Sequence, residues 1–235
     1  MQLNGKTALV TGGSDGIGRH ICLKLAAQGV RIAALGRNRG RLDDVAADAI
    51  AAGAPAAQGF VCDLAQTDQI DAMASAIQNE FGPIDILINN AGIWHKAGPV
   101  DSIQPKIIDD TVAVNLSGAI HLTRAVLPGL RSRQDAAILN VVSKSGVLAQ
   151  AGQSVYTATK YGMRGFTDVL KEDEAESGVR VAGLYQSGTN TGMFAKAGED
   201  VPNHIFTEPD DLADVVVFML SRPAKLWMHD VRIEL

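Results

Sequence analysis

Short apolar runs alternate with amphipathic stretches along nearly all of the 235 residues, and this alternation constrains the fold more than any other feature. Residues 6–10 form an apolar run that ends in a Gly-rich turn. Residues 17–28 read as a helix stopped by Gly29, and residues 30–35 are strand-like again. Leu42, Val45, Ala46, Ala49 and Ile50 fall at i, i+3, i+4, i+7 and i+8, one face of a helix that Gly53 can cap. Residues 60–62 end a third strand; Ile70, Met73, Ile77 and Phe81 mark a helix stopped by Gly82 and Pro83; residues 84–88 form a fourth strand. The spacing then predicts helix over most of 103–131, a strand over 137–142, a helix from about 154 to 176 and a strand over 179–184. The tail from Trp227 reads as a seventh strand with Val231, Ile233 and Leu235 on one face.

Strands separated by helices are parallel strands joined by crossovers, and near-continuous apolar strands belong in a sheet covered on both faces. Right-handed crossovers lead to an α/β, doubly wound parallel sheet of about seven strands. No linker or repeat interrupts the chain, so residues 1–235 are expected to form a single domain. The Gly-, Thr- and Asn-rich stretch over about 186–209 breaks the alternation, and its length marks it as a substrate loop or lid.

Composition narrows the function. With 21 Lys and Arg against 26 Asp and Glu, the formal charge is −5, which argues against a nucleic-acid surface. No apolar run approaches the roughly 20 residues that span a bilayer, and the N-terminus shows no signal pattern. Cys22 and Cys62 sit in apolar segments and read as buried thiols of a reducing compartment, so a cytoplasmic protein is expected. The five histidines and two cysteines have no ligand spacing, and no metal site is expected.

The chemistry begins at Thr11-Gly12-Gly13-Ser14-Asp15-Gly16-Ile17-Gly18, between the first strand and the first helix. Glycines there permit a tight turn and close backbone approach to a pyrophosphate, and the helix N-terminus supplies free N–H groups. Asn89-Asn90-Ala91-Gly92 follows the fourth strand, Asn115 lies in the long helical stretch, and Ser143 follows the fifth strand. Tyr156 comes thirteen residues after Ser143, and Lys160 four after that, on the same face of a helix. A cation at roughly 6 Å in an effective dielectric of about 20 is worth nearly 3 kcal/mol, so Lys160 is expected to lower the Tyr156 phenol by about 2 pK units.

Together these motifs resemble the classical short-chain dehydrogenase/reductase family over almost the full length of the chain. The resemblance implies a Rossmann-type fold and an oxidoreductase that interconverts a ketone or aldehyde and an alcohol. It makes Tyr156 the acid in reduction and the base in oxidation. Lys160 would bind the nicotinamide ribose and tune the tyrosine. Ser143 would hydrogen-bond the substrate oxygen, with Ser145 a turn serine, and Asn115 would hold a water that links the lysine to solvent. It places Gly12, Ser14, Asp15, Gly16, Ile17, Gly18, Asp63, Leu64, Asn90, Ala91 and Gly92 against the cofactor, with Asp63 near the adenine. The residues alone make Asp63 equally a helix N-cap. After the sixth strand the family's Pro-Gly-x-Val-x-Thr is replaced by Gln186-Ser187-Gly188-Thr189-Asn190-Thr191, which keeps Thr191 beside Thr189 for the nicotinamide. Trp94, His95, Met193 and Phe194 are candidate substrate contacts. Dimers or tetramers are implied, built through the helices bearing Asn115 and Tyr156, with Ile103, Ile107, Ile108 and Val112 available for packing.

An NAD-selective site needs a carboxylate about 20 residues beyond the glycine turn. Here Gly36 stands there, followed by Arg37, Asn38, Arg39 and Arg41, a set suited to a 2′-phosphate and hence to NADP(H) over NAD(H). Asp15, where some NADP-binding relatives are basic, points the other way. The rival reading is a non-catalytic NADP-binding regulator or redox sensor on the same fold; it predicts a lost Ser, Tyr or Lys, and all three are retained.

Overall fold

The computed structural model describes residues 1–234. Seven parallel strands form one sheet in the order β3-β2-β1-β4-β5-β6-β7. They are β1 (Thr7–Thr11), β2 (Arg31–Gly36), β3 (Ala57–Val61), β4 (Ile86–Asn89), β5 (Ala136–Val141), β6 (Val179–Gln186) and β7 (Asp230–Ile233). Between them run α1 (Gly16–Ala26), α2 (Arg39–Ala51), α3 (Thr67–Phe81), α4 (Pro105–Val112), α5 (Gly118–Arg131), α6 (Ser154–Asp173), the four-residue α7 (Met193–Lys196) and α8 (Pro209–Ser221).

The strict alternation of a strand sorts its side chains into two cores. Ala8 and Val10 of β1 and Ile32 and Ala34 of β2 face a core completed by α1, α2 and α8. Leu9, Ala33 and Leu35 face the opposite core, closed by α3, α5 and α6. Because both faces are buried, the strands need no polar side and read as unbroken apolar runs. Winding reverses between β1 and β4, and the crevice at their C-terminal ends is where such sheets bind ligands.

Three expectations change in detail. The 103–131 stretch is two helices joined by a π-helical turn over Ala113–Ser117. That extra residue per turn lets the Asn115 amide reach the backbone of Ile93, whose N–H it accepts at 2.7 Å and whose carbonyl it meets at 2.9 Å. The long loop is not loose at its base: Thr189 bridges Thr207, and the Asn190 N–H donates to the Thr207 carbonyl at 2.9 Å. On α2, Leu42, Val45 and Ala49 are buried but Ile50 is half exposed at the edge of the face. Of the residues assigned to the last strand, Val231 and Ile233 pack on the first core; Leu235 lies outside the described residues.

Candidate active site

One cleft of about 760 Å³ opens at the C-terminal edge of the sheet and is shared by the glycine turn, the ends of β2 to β6, α6 and the 186–209 loop. Its nucleotide-facing end is made of backbone. Gly12 and Gly16 adopt φ of 63° and 51°, a region closed to most side chains. A Cβ at Gly18 would sit 2.3 Å from the Gly12 carbonyl oxygen and 2.5 Å from the Asn90 amide nitrogen, so only glycine lets α1 approach the turn. The turn is laced to β4: the Thr11 hydroxyl accepts from the N–H groups of Asn90 and Ala91 at 3.0 and 2.9 Å, and the Asn90 amide donates to the Thr11 carbonyl at 3.0 Å. The result is a cradle with the α1 N-terminus at its floor, the shape and polarity that a pyrophosphate requires.

Gly12, Ser14, Asp15, Gly16, Ile17, Arg37, Asp63, Leu64, Asn90, Ala91, Gly92, Thr189 and Thr191 all line this cleft. Gly18 stands behind it. Asn38 also lies off the cleft; its side chain caps α2 by accepting from the Arg41 N–H at 3.0 Å. Asp63 is not the cap of α3, which begins after Gln66; it accepts instead from Ala65 in the preceding turn and faces Arg37 at 3.8 Å. Arg39 turns back to the Gly59 carbonyl at 2.8 Å. Asp15 caps α1 at Gly16 and is paired with Arg41 at 3.0 Å and with Lys196 of α7 at 2.6 Å. Those two cations and the cap hold its carboxyl below the usual carboxylate range.

At the other end Ser143, Tyr156 and Lys160 line the cleft together. Ser143 has a φ of 138°, the only positive value at a described residue other than glycine, and its hydroxyl accepts from the Ser145 N–H at 3.1 Å. Such strain persists where surrounding structure imposes it. The Lys160 ammonium lies 5.5 Å from the Tyr156 ring centroid, over its face. Among the described residues its one partner within hydrogen-bond range is the Val141 carbonyl at 3.5 Å, a weak contact for a buried cation. Gly92 keeps the space above it open. A buried, under-partnered ammonium facing the cleft fits the hydroxyls of a nucleotide ribose.

The expected direction of the tyrosine shift is reversed. Burial pushes the Tyr156 phenol up to about 12, against a smaller downward pull from Ser143. Burial likewise brings Lys160 down to about 8. Removing both groups from water disfavours both charged forms. Asn115 is buried behind the cleft, with its amide committed to Ile93.

The cleft wall beside Tyr156 is aromatic. Trp94 packs edge-on against Tyr156 at 4.7 Å and against Phe194 at 5.4 Å, and Phe194 stacks on Phe206 at 5.4 Å. Met193 lines the cleft as well. His95 does not: it is buried away from the cleft with Nδ1 at 3.0 Å from the Lys96 carbonyl. Sequence reasoning passed over Phe206, Lys144, Lys196 and Glu199, which also line the cleft. Three of these four fall in the irregular loop, where no periodicity marks a side chain's direction.

Comparison with known proteins agrees with this architecture. The family model for short chain dehydrogenases matches residues 6–202. The D-beta-hydroxybutyrate dehydrogenase of Cupriavidus necator is 35% identical over 244 residues, spanning 95% of this chain and 93% of its own. A metagenomic short-chain oxidoreductase solved with NADP is 32% identical, covers the whole of both chains and superposes with a TM-score of 0.86. The 3-ketoacyl-(acyl-carrier-protein) reductase of Brucella melitensis, solved with NADH, is 30% identical over 98% of both chains with a TM-score of 0.87. A match that runs through the glycine turn, the strand ends and the Tyr-x-x-x-Lys helix makes this chain a member of the short chain dehydrogenase family, an oxidoreductase acting on CH–OH groups.

Proposed function

We propose that the protein interconverts a ketone or aldehyde and an alcohol with NADP(H), using Ser143, Tyr156, Lys160 and Asn115. The observation that carries this reading is the convergence of Ser143, Tyr156 and Lys160 at one end of a cleft whose other end is the glycine cradle. The cofactor, when bound, supplies or accepts the hydride. Tyr156 gives its proton to the carbonyl oxygen in reduction and takes it back in oxidation. The protonated phenol is the form that reduction requires. Ser143 orients the substrate oxygen, and Lys160 meets the ribose. Asn115 positions the Ile93–Trp94 loop that walls the substrate side.

The preference for NADP(H) rests on this chain's own residues, since the two solved relatives above carry different nucleotides. Gly36 presents no carboxylate, and a side chain there would crowd the Ser14 hydroxyl at 3.0 Å. Arg37 is largely exposed and lines the cleft, facing Asp63 at 3.8 Å.

The deciding experiment is Tyr156→Phe, which preserves the ring's contact with Trp94 and removes the hydroxyl that carries the proton. Nucleotide binding by calorimetry should survive, while turnover of carbonyl substrates falls at least about 10²-fold. Near-normal turnover would remove Tyr156 from the mechanism.

A further inference from the structure

Glu199 is the residue of the 186–209 loop with the most pointed placement. Its Oε2 accepts from the Trp94 indole N–H at 2.7 Å, and its Oε1 accepts from the Ala97 backbone N–H at 2.6 Å. Both donors belong to the wall of the substrate side, so the clasp removes them from any substrate. What Trp94 then offers the cleft is an apolar ring, continued by Phe194 and Phe206. The carboxylate that takes these donors is half-buried at the cleft and enters no ion pair among the described residues. Its two hydrogen-bond partners are both neutral N–H groups. The loop itself is fixed separately, by the Lys196–Asp15 pair across the cleft and by the Thr189–Thr207 bridge at its base. Glu199 is therefore not needed merely to close the loop.

We propose that Glu199 is a specificity-determining residue that reserves this side of the cleft for uncharged carbonyl compounds with an apolar or aromatic flank and turns away those bearing a carboxylate. The proposal rests on the redox reading above. It acts in two ways: a substrate carboxylate finds its nearest donors already taken, and it meets a like charge. At a separation on the order of 8 Å and an effective dielectric of about 20, like charges change an equilibrium about thirtyfold; partial exposure reduces this to roughly tenfold. Lys144, next to Ser143, opposes the effect: it lines the cleft and enters no ion pair among the described residues. The balance between Glu199 and Lys144 is what the experiment reads.

Benzoylacetate and benzoylacetamide share one ketone and one ring and differ in charge. At saturating NADPH the amide should exceed the acid in kcat/KM by roughly tenfold or more. Glu199→Gln, which keeps one acceptor and removes the charge, should bring that ratio to within about threefold, with the change in KM rather than kcat. An acid used as well as the amide by the native enzyme would assign the pocket to Lys144 and overturn the inference. So would a ratio unchanged in the variant, which is what a merely structural clasp produces. If neither compound is reduced, calorimetric binding of the same pair to the protein with NADP⁺ decides: a tenfold preference for the amide that Glu199→Gln abolishes sustains the inference and removes only this ketone from the substrates, and equal affinities overturn it.

Discussion

At the scale of single residues, the proposed preference for NADP(H) rests on Arg37. Its guanidinium is 68% exposed, so a 2′-phosphate contact there is screened by solvent and worth about 1–2 kcal/mol, below the range of a buried charged hydrogen bond. Arg37→Ala should lower kcat/KM for NADPH by roughly 5- to 30-fold, leave NADH nearly unchanged, and reduce the salt sensitivity of NADPH use. A native enzyme that uses NADH as well as NADPH would disprove the argument. The single substitution is a cleaner test than adding a carboxylate at Gly36, where the Ser14 hydroxyl already crowds the space. The family resemblance marked Ser143, Tyr156 and Lys160 in the sequence, and the four-residue spacing of the last two puts them on one helix face. Spacing could not reveal the reversed shift at Tyr156, since burial is a property of everything packed around the site. Nor could it show that the Asn38 side chain is spent on capping a helix.

The elements were legible where one period ran unbroken. Every strand was found within two or three residues of its observed ends apart from the N-terminal part of β3 and the length of the tail strand, because both-face burial leaves an unmistakable apolar run. The break between α4 and α5 was hidden, because a π-turn changes the period by one residue and leaves composition untouched. The contact between α1 and the turn before it is tight enough that one added methyl group should cost stability. Gly18→Ala drives a methyl group into the Gly12 carbonyl and the Asn90 amide, neither of which is the free end of a long side chain. It should destabilise the fold by about 1–3 kcal/mol in chemical denaturation and also weaken nucleotide binding, because α1 must withdraw from the cradle. Full stability with intact binding would show that the cradle tolerates a wider gap than this packing implies.

For the whole molecule, the unresolved surface question is what covers the outer faces of α4 and α6, which pack against each other. Ile107 and Val112 on α4 and Tyr161 and Val169 on α6 remain exposed, Val169 at 60%. Ile103 and Ile108 are already half-buried within the subunit, so only part of the apolar set noted in the sequence is left for a partner. Apolar side chains scattered singly on a surface require no explanation, but four on two adjoining helices form a face. Both helices carry or adjoin site residues, so a self-complementary contact there would brace the Tyr156 helix from outside. A closed, two-fold pairing of this face is the simplest assembly that buries it. The mass in solution at micromolar concentration should then be a multiple of the 24.7 kDa chain. Val169→Glu, which places a charge on the most exposed apolar residue of the face and away from the cleft lining, should shift that mass toward the single chain and lower the thermal midpoint in a concentration-dependent way. A native species of single-chain mass throughout would leave the face as ordinary surface and the Tyr156 helix braced by its own subunit alone.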